Sequence, residues 1–287
     1  MFADAALAAR IDRAEGRMCA QVAEAIGRSR PAAAPFVLPI SGGQAVYVGP
    51  SSPLNKVIGL CFDAGLDVEA LERIEREWGD RGERVRIEMS VLADPSLGAA
   101  LTDRGYGLHG FENVLGRSLD EQAREQDLGG VIVEIASDAG HRTWVDIAVQ
   151  AFMNLDGTGS APPDVFLRDQ LTDIFEDMQY VRGFTRYLAR LDGDAVGGAA
   201  MRIDGDLAQL AGAGTLPRAR GRGVQKALLQ RRLADALDAG CTLAVVTTGP
   251  GTRSQDNVMR RGFELLYTRA ILIRGTYGPA QAGPHAP

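Results

Sequence analysis

Apolar positions between Asp206 and Thr247 change their period twice. From Asp206 the run DLAQLAGAGTL is mostly apolar and reads as a strand, broken by Gly212 and Gly214 and ended by Pro217. From Val224 the apolar residues Val224, Ala227, Leu228, Leu229, Leu233, Ala234 and Leu237 recur at spacings of three and four, while polar residues from Gln225 to Arg232 cover the other side. That spacing predicts an amphipathic helix. Gly240 supplies a stop, and Leu243 to Thr247 is an apolar run typical of a buried strand parallel to the first. The predicted unit is strand, loop, helix, strand.

The remaining pattern predicts a helix over 3–27, a break between Pro31 and Pro35, and short strands at 36–38, 44–48 and 56–61. A helix over 68–78, a strand over 85–90, a helix after Pro95 and a strand over 110–119 follow. A charged stretch from Glu121 to Gly130 breaks the periodicity and sets a boundary near 125. Beyond it come a strand at 131–135, a helix over 140–153, a loop over 154–163 and a helix over 164–178. A hairpin of 185–191 and 195–203 around Asp192-Gly-Asp follows, and the last dozen residues read as a tail. An offset of 157 lays Gly105-Tyr106 on Gly262-Phe263, Arg117 on Arg274 and Leu71 on Leu228, with helices and strands in the same order, so the chain reads as a tandem duplication.

The loop Arg218 to Val224 holds Gly221 and Gly223 and opens directly into the helix. Glycines there let successive amides turn toward one point, and a helix N-terminus favours an anion, so phosphate is the expected ligand. The equivalent first-half segment, Phe62 to Asp67, has one glycine and two carboxylates and is expected not to hold phosphate in this way.

Pro217 followed by Arg220-Gly-Arg-Gly223-Val-Gln225 resembles the acyl-CoA loop of the GNAT acyltransferase superfamily, with Gln225 where that family has a small residue. Ser254 to Phe263, ending in Gly-Phe, is similar to the family's closing helix. The resemblance implies an α/β chain of two tandem GNAT-like mixed sheets flanked by helices. Residues 1–125 would form a degenerate domain without a CoA loop, 126–276 an acetyl-CoA-binding catalytic domain and 277–287 a disordered tail. It implies that Gly214, Thr215 and Leu216 pair with the pantetheine arm of the cosubstrate acetyl-CoA. Gly221, Gly223, Val224, Gln225 and Lys226 would hold the pyrophosphate, with Arg220 and Arg222 adding charge and Ser254 and Asn257 contacting CoA.

Acyl transfer to an amine needs a neutral nucleophile, a polarised thioester carbonyl and a way to protonate the departing thiolate. Many family members place a tyrosine acid where this chain has Val258, and an asparagine where it has Gly251. Tyr267 is the nearest tyrosine and the candidate acid. Gln209 acting through water, or Glu176, Asp173 or Asp177 on the preceding helix, are candidate bases. Glu88, Glu112 and Asn113 of the first half could close one side of the acceptor pocket.

Composition narrows the partners. A net charge of −6 in a chain with 45% hydrophobic residues argues for a globular protein and against general nucleic-acid or anionic-membrane binding, so the loop arginines form a local patch. Three scattered cysteines suggest neither a disulfide framework nor a metal site, and a cytoplasmic monomer or homodimer is expected. The expected activity is acetylation of a small-molecule amine; the alternatives are a peptide N-acetyltransferase and a non-catalytic acyl-CoA sensor.

Overall fold

The computed structural model describes residues 2–124, 128–154 and 167–275. Helix α1 (Ala5–Ser29) starts at Asp4, whose carboxylate accepts from the Leu7 amide at 2.8 Å, and it ends just before Pro31. Then come β1 (Phe36–Ile40), β2 (Gly43–Tyr47), β3 (Lys56–Ile58), α2 (Val68–Gly79), β4 (Arg86–Ser90), α3 (Ser96–Asp103) and β5 (Tyr106–Ser118). The second half contributes β6 (Ile132–Ile135), α4 (His141–Met153), α5 (Arg168–Asp177), β7 (Phe184–Leu191) and β8 (Asp194–Asp204). It continues with β9 (Leu207–Thr215), α6 (Val224–Asp238), β10 (Leu243–Thr248), α7 (Arg253–Met259) and β11 (Glu264–Arg274).

Element types follow the hydrophobic pattern throughout; the differences lie at the ends. β5 begins at Tyr106 rather than Gly110, because His109 and Phe111 face solvent and hide the alternation that pairing with β11 imposes. α5 begins at Arg168, and the expected start at 164 and most of the 154–163 loop lie outside the described residues, as do the boundary at 125–127 and the tail.

The strands form one sheet of 11, in the order β1-β2-β3-β4-β11-β5-β10-β9-β8-β7-β6. The two expected sheets are thus joined edge to edge, and at the join they trade their last strands. β11 lies against β4 of the first half, and β5 lies against β10 of the second, with Arg269 opposite Glu112 where β11 and β5 meet. The halves repeat one plan, in which β3–α2–β4–α3–β5 returns as β9–α6–β10–α7–β11 and both β3–β4 and β9–β10 are parallel. Gly105 and Gly262, 157 residues apart, have nearly the same φ, 82° and 81°.

Alternation along the strands assigns the two faces. Leu207 and Leu243 pack under α1 with Ala8, Ile11 and Ala14, and Ala200 packs under α4 and α5 with Trp144 and Phe175. On the opposite face Ala199, Met201, Ala208 and Leu210 meet Val224, Leu228 and Leu233 of α6, while Val57 and Ile87 meet Leu71, Ile74 and Trp78 of α2. Each large apolar side chain so buried contributes about 1.5–3 kcal/mol.

Candidate active site

β9 and β10 begin as a parallel pair and then part. They pair only from Leu207 with Leu243 to Leu210 with Val246. Beyond that point β10 stays with β5 as far as Thr248 opposite Asn113, and β9 stays with β8 as far as Thr215 opposite Gly197. The turn is made at Gly212, which adopts φ 59° beside a register shift between Gly198 and Ala200. Arg232 of α6 steadies the bulge, its Nη1 donating to the Ala200 carbonyl at 3.0 Å and the Ala211 carbonyl at 3.5 Å. From Ala211 to Thr215 the side of β9 facing β10 is therefore an edge without a strand partner.

At the end of that edge α6 begins. Gly223 is its N-cap with φ 82°, a conformation that glycine adopts without strain, and no side chain caps the helix. The first amides of a helix have no intrahelical acceptor and carry the positive end of its dipole. α2, in the equivalent position of the first half, differs. Asp67 caps it, accepting from Ala70 N at 2.9 Å, which places a carboxylate where an anion would sit. This is the physical ground for the expectation that the Phe62 to Asp67 segment does not hold phosphate.

The splay and the α6 N-terminus open on one cleft of about 1290 Å³. Gly214, Thr215, Arg220, Gly221, Gly223, Val224, Gln225, Lys226, Ser254 and Asn257 all line it. Two of the expected loop contacts do not. Leu216 is buried, its amide donating to the Val196 carbonyl at 2.9 Å, and Arg222 pairs with Asp192 at 2.8 Å. Arg220 is bound to the Asn154 carbonyl at the end of α4 and holds that helix against the loop. Two cleft hydroxyls, Thr215 Oγ1 and Thr248 Oγ1, are buried without a hydrogen-bond partner among the described residues, a state that a polar ligand in the cleft would relieve.

Among the residues under the splay is a cation that the sequence reading passed over. Arg232 is 3% exposed, and besides Ala200 and Ala211 it donates to the Leu228 carbonyl. Burial brings its pKa down to about 10, so it stays charged at neutral pH. The pattern groups Arg232 with the polar side of the helix, but its place four residues after Leu228 puts it on the buried side, as the structure shows.

The sheet face under α1 carries a second cluster. Arg269 is fully buried and pairs with Asp12 at 2.6 Å, Glu15 at 2.6 Å, Glu88 at 3.5 Å and Glu112 at 3.8 Å. Lys56 is pinned between Glu15 at 2.9 Å and Glu88 at 2.8 Å, and Arg86 lies 3.4 Å from Glu88. Burial opposes the charge on Lys56 and Arg269, but the surrounding carboxylates outweigh it and raise both pKa values. Burial also opposes ionisation of Glu15, yet Arg269 and Lys56 hold its carboxyl well below the usual range.

Burial also raises the pKa of Asp12 in this cluster, but Glu112 is the carboxyl that reaches the cleft. Its side chain keeps 24% exposure, it lines the cleft with Lys56 and Arg86, and its Oε2 has no hydrogen-bond partner. Burial, with Glu88 beside it, pushes its pKa up to about 7. A carboxyl that titrates near neutrality at the edge of a cleft can take a proton from an incoming nucleophile.

The three residues expected to carry catalysis are not among those lining this cleft. Gln209 accepts from Arg202 Nη1 at 2.6 Å on the α1 face. Tyr267 is 3% exposed and donates its hydroxyl to Asp12; burial raises its pKa well above the tyrosine range. Glu176 stands on α5 near His141, whose pKa burial and the neighbouring Arg186 lower despite that carboxylate. Asp177 is tied to Arg30, and Asp173 pairs with the same arginine at 3.2 Å. Val258, at the position of the family's tyrosine, is buried in the α6-side core and lines the cleft with an apolar side chain.

A splayed parallel pair beside an uncapped, glycine-led helix offers an open strand edge and free helix amides side by side. Residues 151–263 match the model of the Acetyltransferase (GNAT) family, which places a GNAT domain across α5, the β9–α6–β10 unit and α7. Solved structures extend the likeness of fold over most of the chain. A GCN5-related N-acetyltransferase from Kribbella flavida is 19% identical with a TM-score of 0.62, covering 96% of this chain and 98% of its own. A tandem GNAT protein from the clavulanic acid biosynthesis pathway, solved without AcCoA, is 13% identical with a TM-score of 0.55, covering 83% and 79%. A GCN5-related N-acetyltransferase from Sphaerobacter thermophilus is 16% identical with a TM-score of 0.54, covering 72% and 67%. No curated protein matches the chain. Among the described residues no helix is long and apolar enough to cross a membrane.

Proposed function

We propose that this chain is an N-acetyltransferase that moves an acetyl group from acetyl-CoA to the amine of a small molecule. The observation that carries the reading is the uncapped N-terminus of α6 at the foot of the β9–β10 splay. The GNAT match over 151–263 supports it. In this reading the pyrophosphate lies against the amides that follow Gly221, and the pantetheine amides pair with the open edge of β9 from Ala211 to Thr215.

The thioester then stands where the two strands part. The acceptor enters from the α1 face and meets Glu112, which takes the amine proton as nitrogen attacks the carbonyl carbon. The C–N bond forms, the C–S bond breaks, and the sulfur leaves as thiolate. Arg232, beneath the splay, supplies positive charge for the negative charge that develops. An exchange of Val258 for the usual tyrosine is tolerable in this scheme because a CoA thiolate can leave unprotonated beside a cation.

A second reading, acyl-CoA sensing without turnover, is favoured by one observation, the apolar Val258 at the acid's position. Calorimetric titration of acetyl-CoA into wild type and Gly223→Glu, followed by free-thiol release against a panel of amines, separates the two. The enzyme binds, loses binding in the variant and releases thiol on some amine. Binding without release on any amine turns the balance to the sensor, and retained binding in Gly223→Glu removes the site from the α6 loop.

A further inference from the structure

Beside the splay, on the face away from α6, lies a second cavity of about 200 Å³. Its wall is apolar throughout and is made chiefly by Trp144, Phe152, Leu171, Ile174, Phe175 and Phe184. Trp144 spends its one polar atom on the Ala199 carbonyl at 2.9 Å, and Phe175 meets its ring edge-on at 5.5 Å. Pro53 and Leu54 of the first half complete the wall, so both halves build it.

The cavity and the cleft share Pro53, Phe152, Ala211 and Gly212. Gly212 sits at the junction, where a Cβ would stand in van der Waals contact with the aromatic wall. A Cβ at that position would lie 3.5 Å from Phe175 and 3.8 Å from Trp144. An apolar cavity of this size gains nothing from water; one of roughly 150 Å³ is large enough for benzene. The same cleft ends on Glu112, in the cluster where Asp12, Glu15, Glu88 and Glu112 face Lys56, Arg86 and Arg269. Of these groups Glu112, Lys56 and Arg86 line the cleft, and Glu112 Oε2 has no hydrogen-bond partner among the described residues, so an apolar hole opening on that carboxyl suits a ligand with an apolar body and an amine that can meet it.

We propose that this cavity is the acceptor subsite, and that the acceptor is a primary amine with an apolar body of about one aromatic ring, seated on Trp144 with its nitrogen toward Glu112. The inference rests on the acetyltransferase reading for its chemistry, but its binding geometry can be tested separately. An acyl chain longer than acetyl is the rival occupant. It is the poorer match because a hydrocarbon chain makes no hydrogen bond to the Glu112 carboxyl that lines the cleft.

The test is a kinetic series with acetyl-CoA, running from ethylamine to hexylamine and comparing 2-phenylethylamine with ethanolamine. kcat/KM is expected to rise about fourfold per methylene while the cavity fills, and 2-phenylethylamine to exceed ethanolamine by at least about tenfold. Leu171→Trp, which fills the cavity, should flatten the series while acetyl-CoA titrates as in wild type. Phe152→Ala, at a position 41% exposed and safe for folding, should shift the optimum to longer chains. A flat series in wild type, or a rate graded instead by acyl length from acetyl-CoA to hexanoyl-CoA with ethanolamine as acceptor, overturns the proposal. If no amine turns over, fluorescence decides. A 2-phenylethylamine-dependent change that is lost in Trp144→Phe sustains the subsite while the enzymatic reading falls, and no change overturns the subsite.

Discussion

Glu112 shows how one position can be poor for stability and good for chemistry. An unfolded glutamate titrates near 4.3, whereas in the fold burial and Glu88 push this one to about 7. The folded state therefore keeps a proton that the unfolded state has lost between those values. The stability this group contributes is present below the unfolded pKa and is lost as pH rises through the folded one. Glu112→Gln, a permanent mimic of the protonated acid, is expected to raise the melting temperature at pH 8, by about 3 kcal/mol in stability, and to leave it unchanged at pH 4. The same variant should lose about 10²–10⁴ in kcat. Wild-type kcat/KM should climb as pH passes through about 7, when Glu112 becomes able to accept a proton. A melting curve that moves equally at both pH values would mean that the carboxyl is not the strained group. Tyr267→Phe is expected to do the opposite. Removing the hydroxyl that Asp12 accepts should cost about 1–3 kcal/mol in denaturant unfolding and leave kcat and its pH profile in place; a loss of kcat at unchanged stability would return Tyr267 to the role of acid.

At the scale of elements, the contrast between α2 and α6 predicts one acyl-CoA site per chain. The two helices follow parallel strands of the same plan, yet Asp67 caps one and the other is left open behind Gly223. Titration of acetyl-CoA should therefore reach one equivalent per chain, and a second equivalent of comparable affinity would refute the assignment of α2 as closed. This difference was legible in the sequence, since an aspartate before a helix caps it and a glycine does not. The β9–α6–β10 unit was legible for a similar reason, because its periods are set by the chain locally. The groups proposed for catalysis were not. Whether Gln209 or Glu112 reaches the cleft depends on which side of a strand meets which helix, and on a strand from the other half being the neighbour.

For the whole molecule, the trade of final strands makes each half depend on the other. β11 covers β4 and carries Arg269 into carboxylates supplied by α1, β4 and β5. Without the second half, Asp12 loses the cation it pairs with and Glu15 and Glu88 keep only Lys56 and Arg86, and without the first half Arg269 loses all four of its carboxylates. Removing one side of a buried ion cluster costs about 3–5 kcal/mol, in addition to the exposed strand edges. Separately expressed 1–125 and 126–287 are expected to be unfolded or aggregated by circular dichroism and gel filtration, and to give a soluble complex when co-expressed. Two independently folded halves would show that the shared sheet is an interface between domains and not a common core.

By itself the sequence determined the type and order of the elements, the repeat at 157 residues and the open, glycine-led start of α6. Each of these follows from local period, capping and backbone freedom, which need no distant partner. Tertiary structure decided that two sheets become one, that Tyr267 and Gln209 are held by Asp12 and Arg202, and that Glu112 and Arg232 stand at the splay. It also decided that aromatic residues from α4, α5 and β7 enclose an apolar cavity beside Gly212. These outcomes depend on burial and on charges brought together from positions up to 257 residues apart, as in the pairing of Asp12 with Arg269. No local pattern carries that information, because the cost of burying a charge is set by what the fold places beside it.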